Sequence, residues 1–169
     1  AVAKTSFDPA HGHICCLGFA IDDSPVQYYE ARAVEDERAI LESFFDALPK
    51  LGLHCFIGHN VAAFDLRFLL QRYIVNGIRP HPVIWRAAQA KPWESDRVYD
   101  TMVQFAGVGN RISLDKLCLA LGIEGKGMTA GADVWPMVQA GKLDDVARYC
   151  ENDVAITRAA YRRMTFQAE

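Results

Sequence analysis

Two clusters of side chains in this sequence have types and spacing suited to holding a ligand. The first is Gly58-His59-Asn60-Val61-Ala62-Ala63-Phe64-Asp65, where an apolar stretch ends, an asparagine follows and an acid opens the next segment. An acid at a strand-to-helix junction lies at a sheet edge, where α/β proteins commonly bind ligands. The same acid can also do no more than steady a helix N-terminus. The second cluster is Tyr149-Cys150-Glu151-Asn152-Asp153. On a helix, Tyr149 and Asp153 share one face because they are four apart, while Glu151 and Asn152 point elsewhere. Taken singly, each cluster also fits an ordinary helix end or a tyrosine at the edge of a core.

The elements that must position these groups follow from hydrophobic periodicity. His13 to Ile21 is a continuous apolar run flanked by Asp22, Asp23 and Pro25, which predicts a short buried strand. Val26 to Ala33 predicts a second strand turning back on it. Asp36 to Leu48 places Ile40, Leu41, Phe44, Phe45 and Leu48 at helical spacing, with Pro49 and Gly52 expected to end the helix. His54 to Gly58 predicts another buried strand, leading into a helix from about Ala62 to Val75 that closes at Asn76-Gly77. Pro80, Pro82 and Pro92 mark an irregular connection, and Val98 to Thr101 a short extended piece. Ser113 is a good N-cap for a helix from Leu114 to Leu121, stopped by Gly122. The glycine-rich stretch around Lys126 reads as a loop, Asp133 to Gln139 as a short helix, and Leu143 to Met164 as a long final helix. There is no internal repeat and no linker. The expectation is one α/β domain over residues 1–169, with helices packed on a central sheet.

Composition narrows the function classes. A chain of 169 residues suits one compact domain, and 51% hydrophobic with 23% charged residues is ordinary globular usage. No stretch approaches the roughly 20 apolar residues of a membrane span, and Ala1 to Ser6 carries no signal pattern, so a soluble cytoplasmic protein with no membrane partner is expected. A net charge of −3 and a pI near 6.0 argue against a protein that coats nucleic acid by charge alone. Such a chain needs a local basic patch, or cations that bring the positive charge themselves. The cysteines are odd in number, form no C-x-x-C pair and lie mostly in apolar runs, which predicts buried reduced thiols rather than a zinc site. His11 and His13 point only weakly to a metal.

Taken together the two clusters say more. N-x3-F-D followed by Y-x3-D on a late helix resembles the second and third motifs of the DEDD exonucleases, tyrosine branch. The text between them includes Tyr99-Asp100-Thr101-Met102, Ser113-Leu114-Asp115 and Leu121-Gly122-Ile123. With these segments, nearly the entire chain is similar to the phage and bacterial group related to the exonuclease domain of DNA polymerase B. The resemblance implies an RNase H-like α/β fold, a central mixed sheet flanked by helices. It implies hydrolysis of single-stranded DNA from the 3′ end, in replication or repair, with any partner proteins acting in trans. It also implies four carboxylates holding two divalent metals, Mg²⁺ or Mn²⁺, which prefer hard oxygen ligands and offset phosphodiester charge. On this resemblance Asp65 and Asp153 are metal ligands and Tyr149 orients the attacking water. Asn60 and Phe64 shape the substrate channel. Asp100 takes no firm role beyond support of the fold. An RNA-trimming enzyme like ribonuclease D shares the tyrosine form of the third motif and is the alternative enzyme; a catalytically silent nucleic-acid-binding module is another.

The chain departs from the pattern at its beginning. The first motif of the family is D-x-E on the first strand. Ala1 and Ala3 have the i, i+2 spacing that puts both side chains on one strand face, and they are read as the positions of the expected Asp and Glu. Either both acids are replaced by alanine, or the acidic pair lies upstream. An alanine methyl binds no metal. The chain as written is therefore expected to hold the two metals weakly or not at all, and to have little or no nuclease activity. Phe7 either stacks on the terminal bases, a contact worth roughly 1–3 kcal/mol per base, or packs under a turn. Arg67, Arg72, Arg79, Arg86, Lys91, Arg97, Arg111 and Lys126 are candidate phosphate contacts. Lys126 is the best of them, because its flanking glycines let the backbone approach a phosphate.

Overall fold

The computed structural model describes residues 8–51, 55–125 and 133–167. The order of elements is β1 (Cys16–Phe19), β2 (Gln27–Glu30), a single 3-10 turn at Val34–Asp36, α1 (Glu37–Leu51), β3 (Phe56–Gly58), α2 (Asp65–Val75), α3 (Pro82–Ala87), β4 (Val98–Asp100), α4 (Thr101–Ala106), α5 (Leu114–Leu121), α6 (Val134–Gln139) and α7 (Leu143–Met164). Strands β1 and β2 pair antiparallel, with Cys16 opposite Glu30 and Phe19 opposite Gln27. Strands β3 and β4 pair parallel, with Gly58 opposite Asp100. This is a mixed α/β architecture of small sheets and helices.

Strand β1 lies between helices, which explains why its sequence is apolar without alternation, whereas β2 leaves Gln27 and Tyr28 exposed. On β1, Leu17 and Phe19 face one way and pack against the cluster of Leu41, Phe44 and Leu48 from α1, Leu69 and Tyr73 from α2, and Ile84 from α3. Phe19 meets Phe44 edge-on at 5.3 Å between ring centres. Cys16 and Gly18 alternate to the other face, where α7 crosses. A Cβ built on Gly18 would stand 3.3 Å from the Cys150 Cβ and 3.5 Å from Val154 Cγ2, both on α7. On β4, Val98 joins Leu66, Ala87 and Ala88, while Tyr99 turns its ring edge-on to Tyr161 of α7 at 4.9 Å. Helix α7 also builds a third cluster, Ile156 and Ala160 against Leu114, Leu117 and Cys118 of α5. The β1–β2 turn is tied to the same helix, through Arg158 to the Ser24 carbonyl at 2.8 Å and an ion pair between Arg162 and Asp23.

Several expected boundaries move. The strands are shorter than the apolar runs that announce them, because only 16–19 and 27–30 make ladder pairs. Helix α1 runs on to Leu51 rather than ending at Leu48, a shift of the size by which helix ends ordinarily vary. The connection expected to be irregular holds α3. Pro82 stands at the first helical position, where its missing N–H costs nothing, and His81 Nδ1 accepts from Val83 N at 3.3 Å. Thr101, expected in the extended piece, opens α4 instead, since Asp100 caps it. Ser113 caps α5 as expected, and Gly122 ends it in the left-handed conformation that glycine enters without steric cost, φ 70°. Among the described residues, no helix is long and apolar enough to cross a membrane.

One expected phosphate contact is withdrawn by the fold. Arg72 is buried on α2 and gives its guanidinium to Glu37 in a two-pronged bond, Nε to Oε1 at 2.8 Å and Nη2 to Oε2 at 2.6 Å. Its Nη1 donates to the Pro9 carbonyl at 2.8 Å. Glu37, 1% exposed at the start of α1, also accepts from Ile14 N at 2.8 Å and Asn76 Nδ2 at 3.0 Å. Burial by itself raises a carboxyl pKa, but these four donors outweigh it and hold Glu37 below the usual glutamate range. Arg97 is also engaged, with Glu94 at 3.2 Å. Arg67, Arg79, Arg86, Lys91 and Arg111 are exposed.

Candidate active site

The turn from β3 to α2 is built by three features of the first cluster. Gly58 has no room for a side chain: a Cβ there would fall 2.4 Å from the Cβ of Val61. Asn60 takes the left-handed conformation, φ 61°, which asparagine tolerates better than most residues. Its carbonyl then accepts from Phe64 N at 3.0 Å. The backbone donors of this turn go to one buried acid, Asp100 on β4, 3% exposed. Asp100 Oδ1 accepts from Asn60 N at 2.9 Å, and Oδ2 from Ala62 N at 3.1 Å. The same carboxylate caps α4, accepting from Met102 N at 3.0 Å and Val103 N at 3.4 Å. Leu66 N bonds the Val61 carbonyl at 3.0 Å, five residues back, rather than that of Ala62, so the regular helix begins only at Asp65, later than the expected Ala62. Replacing Gly58 with alanine is expected to cost about 1–3 kcal/mol through overpacking. Urea denaturation checks this, and an unchanged midpoint would mean that Val61 yields easily.

His59 locks the same turn to the next elements. Its Nε2 donates to the Ile112 carbonyl at 2.9 Å, and its Nδ1 lies 2.9 Å from Thr101 Oγ1. The fully buried Thr101 hydroxyl reaches the Gly58 carbonyl at 3.2 Å. The histidines carried no clear message in the sequence. The signal available for His59 was only its place between Gly58 and Asn60.

The predicted site residues fall as follows. Asp65 is exposed at the first residue of α2, where the helix dipole favours an acid. Phe64 precedes it, half-buried, with its ring 5.7 Å from that of Phe68. Asn60 contributes its backbone to the turn. Tyr149 and Asp153 are half-buried on α7, and the Oδ1 atom of Asp153 is closed off from solvent. Asp65, Tyr149 and Asp153 each engage neighbouring groups. Ala1, Ala3, Phe7 and Lys126 lie outside the described residues.

Electrostatics relates the two acids. The Cys150 thiol of α7 is held strongly protonated. It donates to Cys16, it is buried, and Cys16 repels negative charge on it; the carboxylates of Asp153 and of Asp65 push in the same direction. Two carboxylates, with water and substrate phosphate, fit the hard oxygen shell of a Mg²⁺-like ion. Among the described residues, no group of three or more His, Cys, Asp or Glu side chains is arranged to hold a metal.

The domain is α/β, with Asp65 opening α2 just after the strand-to-helix turn and Asp153 on α7. The chain belongs to the family of predicted 3′-5′ exonucleases related to the exonuclease domain of PolB, which it matches over residues 13–169. No curated protein and no solved structure matches it. Ala1 and Ala3 precede the matched residues.

Proposed function

We propose that this domain is a 3′→5′ exonuclease of the tyrosine-branch DEDD type, RNase H-like in fold, acting on the 3′ end of single-stranded DNA. The observation that carries the reading is the placement of two acids on separate elements, Asp65 at the first residue of α2 and Asp153 on α7, one turn after Tyr149. The family to which the chain belongs supports it independently.

In this reading Asp65 and Asp153 supply the oxygen ligands for divalent cations. Bound there, Mg²⁺ or Mn²⁺ would offset the phosphodiester charge and favour attack by water. Tyr149, one turn before Asp153, holds and orients that water through its hydroxyl. Asn60 and Phe64 line the path of the terminal nucleotide, Phe7 meets its base, and Lys126 meets a phosphate. Asp100 and His59 touch no substrate; they fix the turn from which Asp65 projects. Ala1 and Ala3 occupy the places of the first-motif acids, so the ligand set is incomplete and the chain as written turns over little or no substrate.

The test is digestion of 3′-labelled single strands of DNA and of RNA of the same sequence in Mn²⁺. The unaltered chain is expected to leave both at full length. Ala1→Asp combined with Ala3→Glu is expected to shorten the DNA strand from its 3′ end. Rapid shortening by the unaltered chain would remove the claim of inactivity. Failure of the restored chain on both strands would remove the assignment of positions 1 and 3, and preferential loss of the RNA would transfer the activity to that substrate.

A further inference from the structure

Among the described residues, the antiparallel pair β1–β2 has no third strand. The phase of its hydrogen bonds decides which groups face the open edge. Ala31 N donates to the Cys15 carbonyl at 2.8 Å, one step beyond the pairing of Cys16 with Glu30. Bonded and non-bonded pairs alternate along an antiparallel ladder, so Tyr29 and Gln27 turn their backbone groups to β1. The N–H and C=O groups of Tyr28 and Glu30 then point outward. No proline or bulge interrupts the strand from Gln27 to Glu30, and these are two of the devices by which proteins guard such edges.

This edge is one wall of a groove, and α1 with the turn before it is the other. Tyr28 and Glu30 line it together with Asp36, Ala39, Ile40 and Ser43, around a space of about 340 Å³. Asp36, Ile40 and Ser43 share one helical face by their spacing. Ile40 is buried and forms the floor, while Ala39 and Ser43 are exposed and too short to fill the space. The rim is acidic. Glu30 and Asp36 stand together at one end, where the Arg32 guanidinium reaches Glu30 at 3.2 Å and Arg32 N donates to Asp36 Oδ2 at 3.0 Å. Asp46, exposed, continues the helical row three residues past Ser43. Three acids thus stand against one base.

We propose that this groove takes an extended, lysine-bearing segment of a partner protein, added to β2 as a third strand. Its main chain bonds the outward groups of Tyr28 and Glu30, which supplies affinity for any extended chain, and its side chains supply the selection. Alternate side chains point towards α1. A short apolar one fits over Ile40, and lysines two residues to either side meet Asp36 and Asp46. A second copy of this chain is the poorer occupant, because two such grooves would set the same acids against each other.

The probe is a fluorescently labelled acetyl-Lys-Thr-Val-Thr-Lys-amide, titrated into the folded chain by anisotropy, with amide hydrogen exchange read by NMR. In the free protein the amides of Tyr28 and Glu30 are expected to exchange fast and that of Tyr29 slowly; saturating peptide is expected to slow the first two. The peptide with glutamate in place of lysine is expected not to bind. Tyr28→Pro removes one outward donor and spares the ladder with β1, since proline is tolerated where its nitrogen faces away from the sheet. It is expected to weaken binding about tenfold. Ser43→Arg, at an exposed position, fills the groove and opposes its charge, and is expected to abolish binding. Absence of saturable binding, equal binding of the glutamate peptide, or unchanged affinity in Ser43→Arg would each overturn the proposal. Slow exchange at Tyr28 and Glu30 without peptide would overturn it too, giving the edge to another segment of this chain if the protein sediments as a monomer and to a second copy if it sediments as a dimer. No readout involves nucleic acid, so the outcome is independent of the nuclease reading.

Discussion

Replacing Arg72 with methionine is expected to cost about 3–5 kcal/mol of folding stability at neutral pH, because it leaves the Glu37 carboxylate buried without its countercharge. Ile14 N and Asn76 Nδ2 would still donate to that carboxylate, which keeps the cost from running higher. For a domain of this size, the melting temperature is expected to fall by about 10 °C. The pH dependence gives the effect a signature. In the parent chain the Glu37 pKa is lowered on folding, so its contribution is present above the unfolded-state pKa and lost as pH falls through the lowered folded value. Without Arg72, burial dominates and raises the folded pKa. The variant is then penalised least where Glu37 is protonated, and the penalty grows as pH rises. The gap between the two proteins should therefore narrow as pH falls from 7 towards 4. Urea denaturation across that range measures it; a gap independent of pH would mean that Glu37 is not the charge concerned. The double replacement Glu37→Met with Arg72→Met removes both charges and is expected to recover most of the loss.

Asp100→Ala is expected to cost about 3–5 kcal/mol, from the lost cap of α4 and from backbone donors of the β3–α2 turn left without an acceptor. Asp100→Asn keeps one accepting oxygen but aims an amide N–H₂ at one of the donors, and should fall between. The effect is expected to be concentrated where the site is held. Amide hydrogen exchange at Asn60 and Ala62, whose N–H groups bond the Asp100 carboxylate, should quicken far more than exchange at Leu41 or Phe44 in α1. Equal acceleration everywhere would reduce Asp100 to a general stabiliser with no special hold on the turn that carries Asp65.

How far the sequence could be read depended on whether the information was local. Ser113 and Gly122 bracket α5, and the long period of α7 marks it from Leu143 to Met164; both helices appear with those bounds. Helices α3 and α4 were not legible. Each has only 6 residues, too short for a period to emerge, and Pro82 reads equally as a helix start or a loop. Asp65, Tyr149 and Asp153 could be named because their types and spacing lie within short motifs. Asp100 was visible only as a neighbour of Thr101 and Met102. That its carboxylate serves Asn60 and Ala62 depends on the parallel pairing of β3 with β4, which no local pattern encodes. Arg72 was misjudged for the same reason: its partner Glu37 stands on another helix, and an arginine in isolation looks like surface charge.

Two of the three hydrophobic clusters divide the labour of folding unequally. Residues from α1, α2 and α3 form one of them without any contribution from α7, whereas α5 has Ile156 and Ala160 of α7 as its apolar partners in the other. During synthesis on the ribosome, the first cluster can consolidate while the second still waits for its helix. Asp65 therefore emerges on a nearly settled scaffold, and Asp153 arrives afterwards with the last long segment. In the proposed site the two acids come together only when this last helix docks, so a nascent or partly melted molecule would keep much of its helical content while its acids stayed apart.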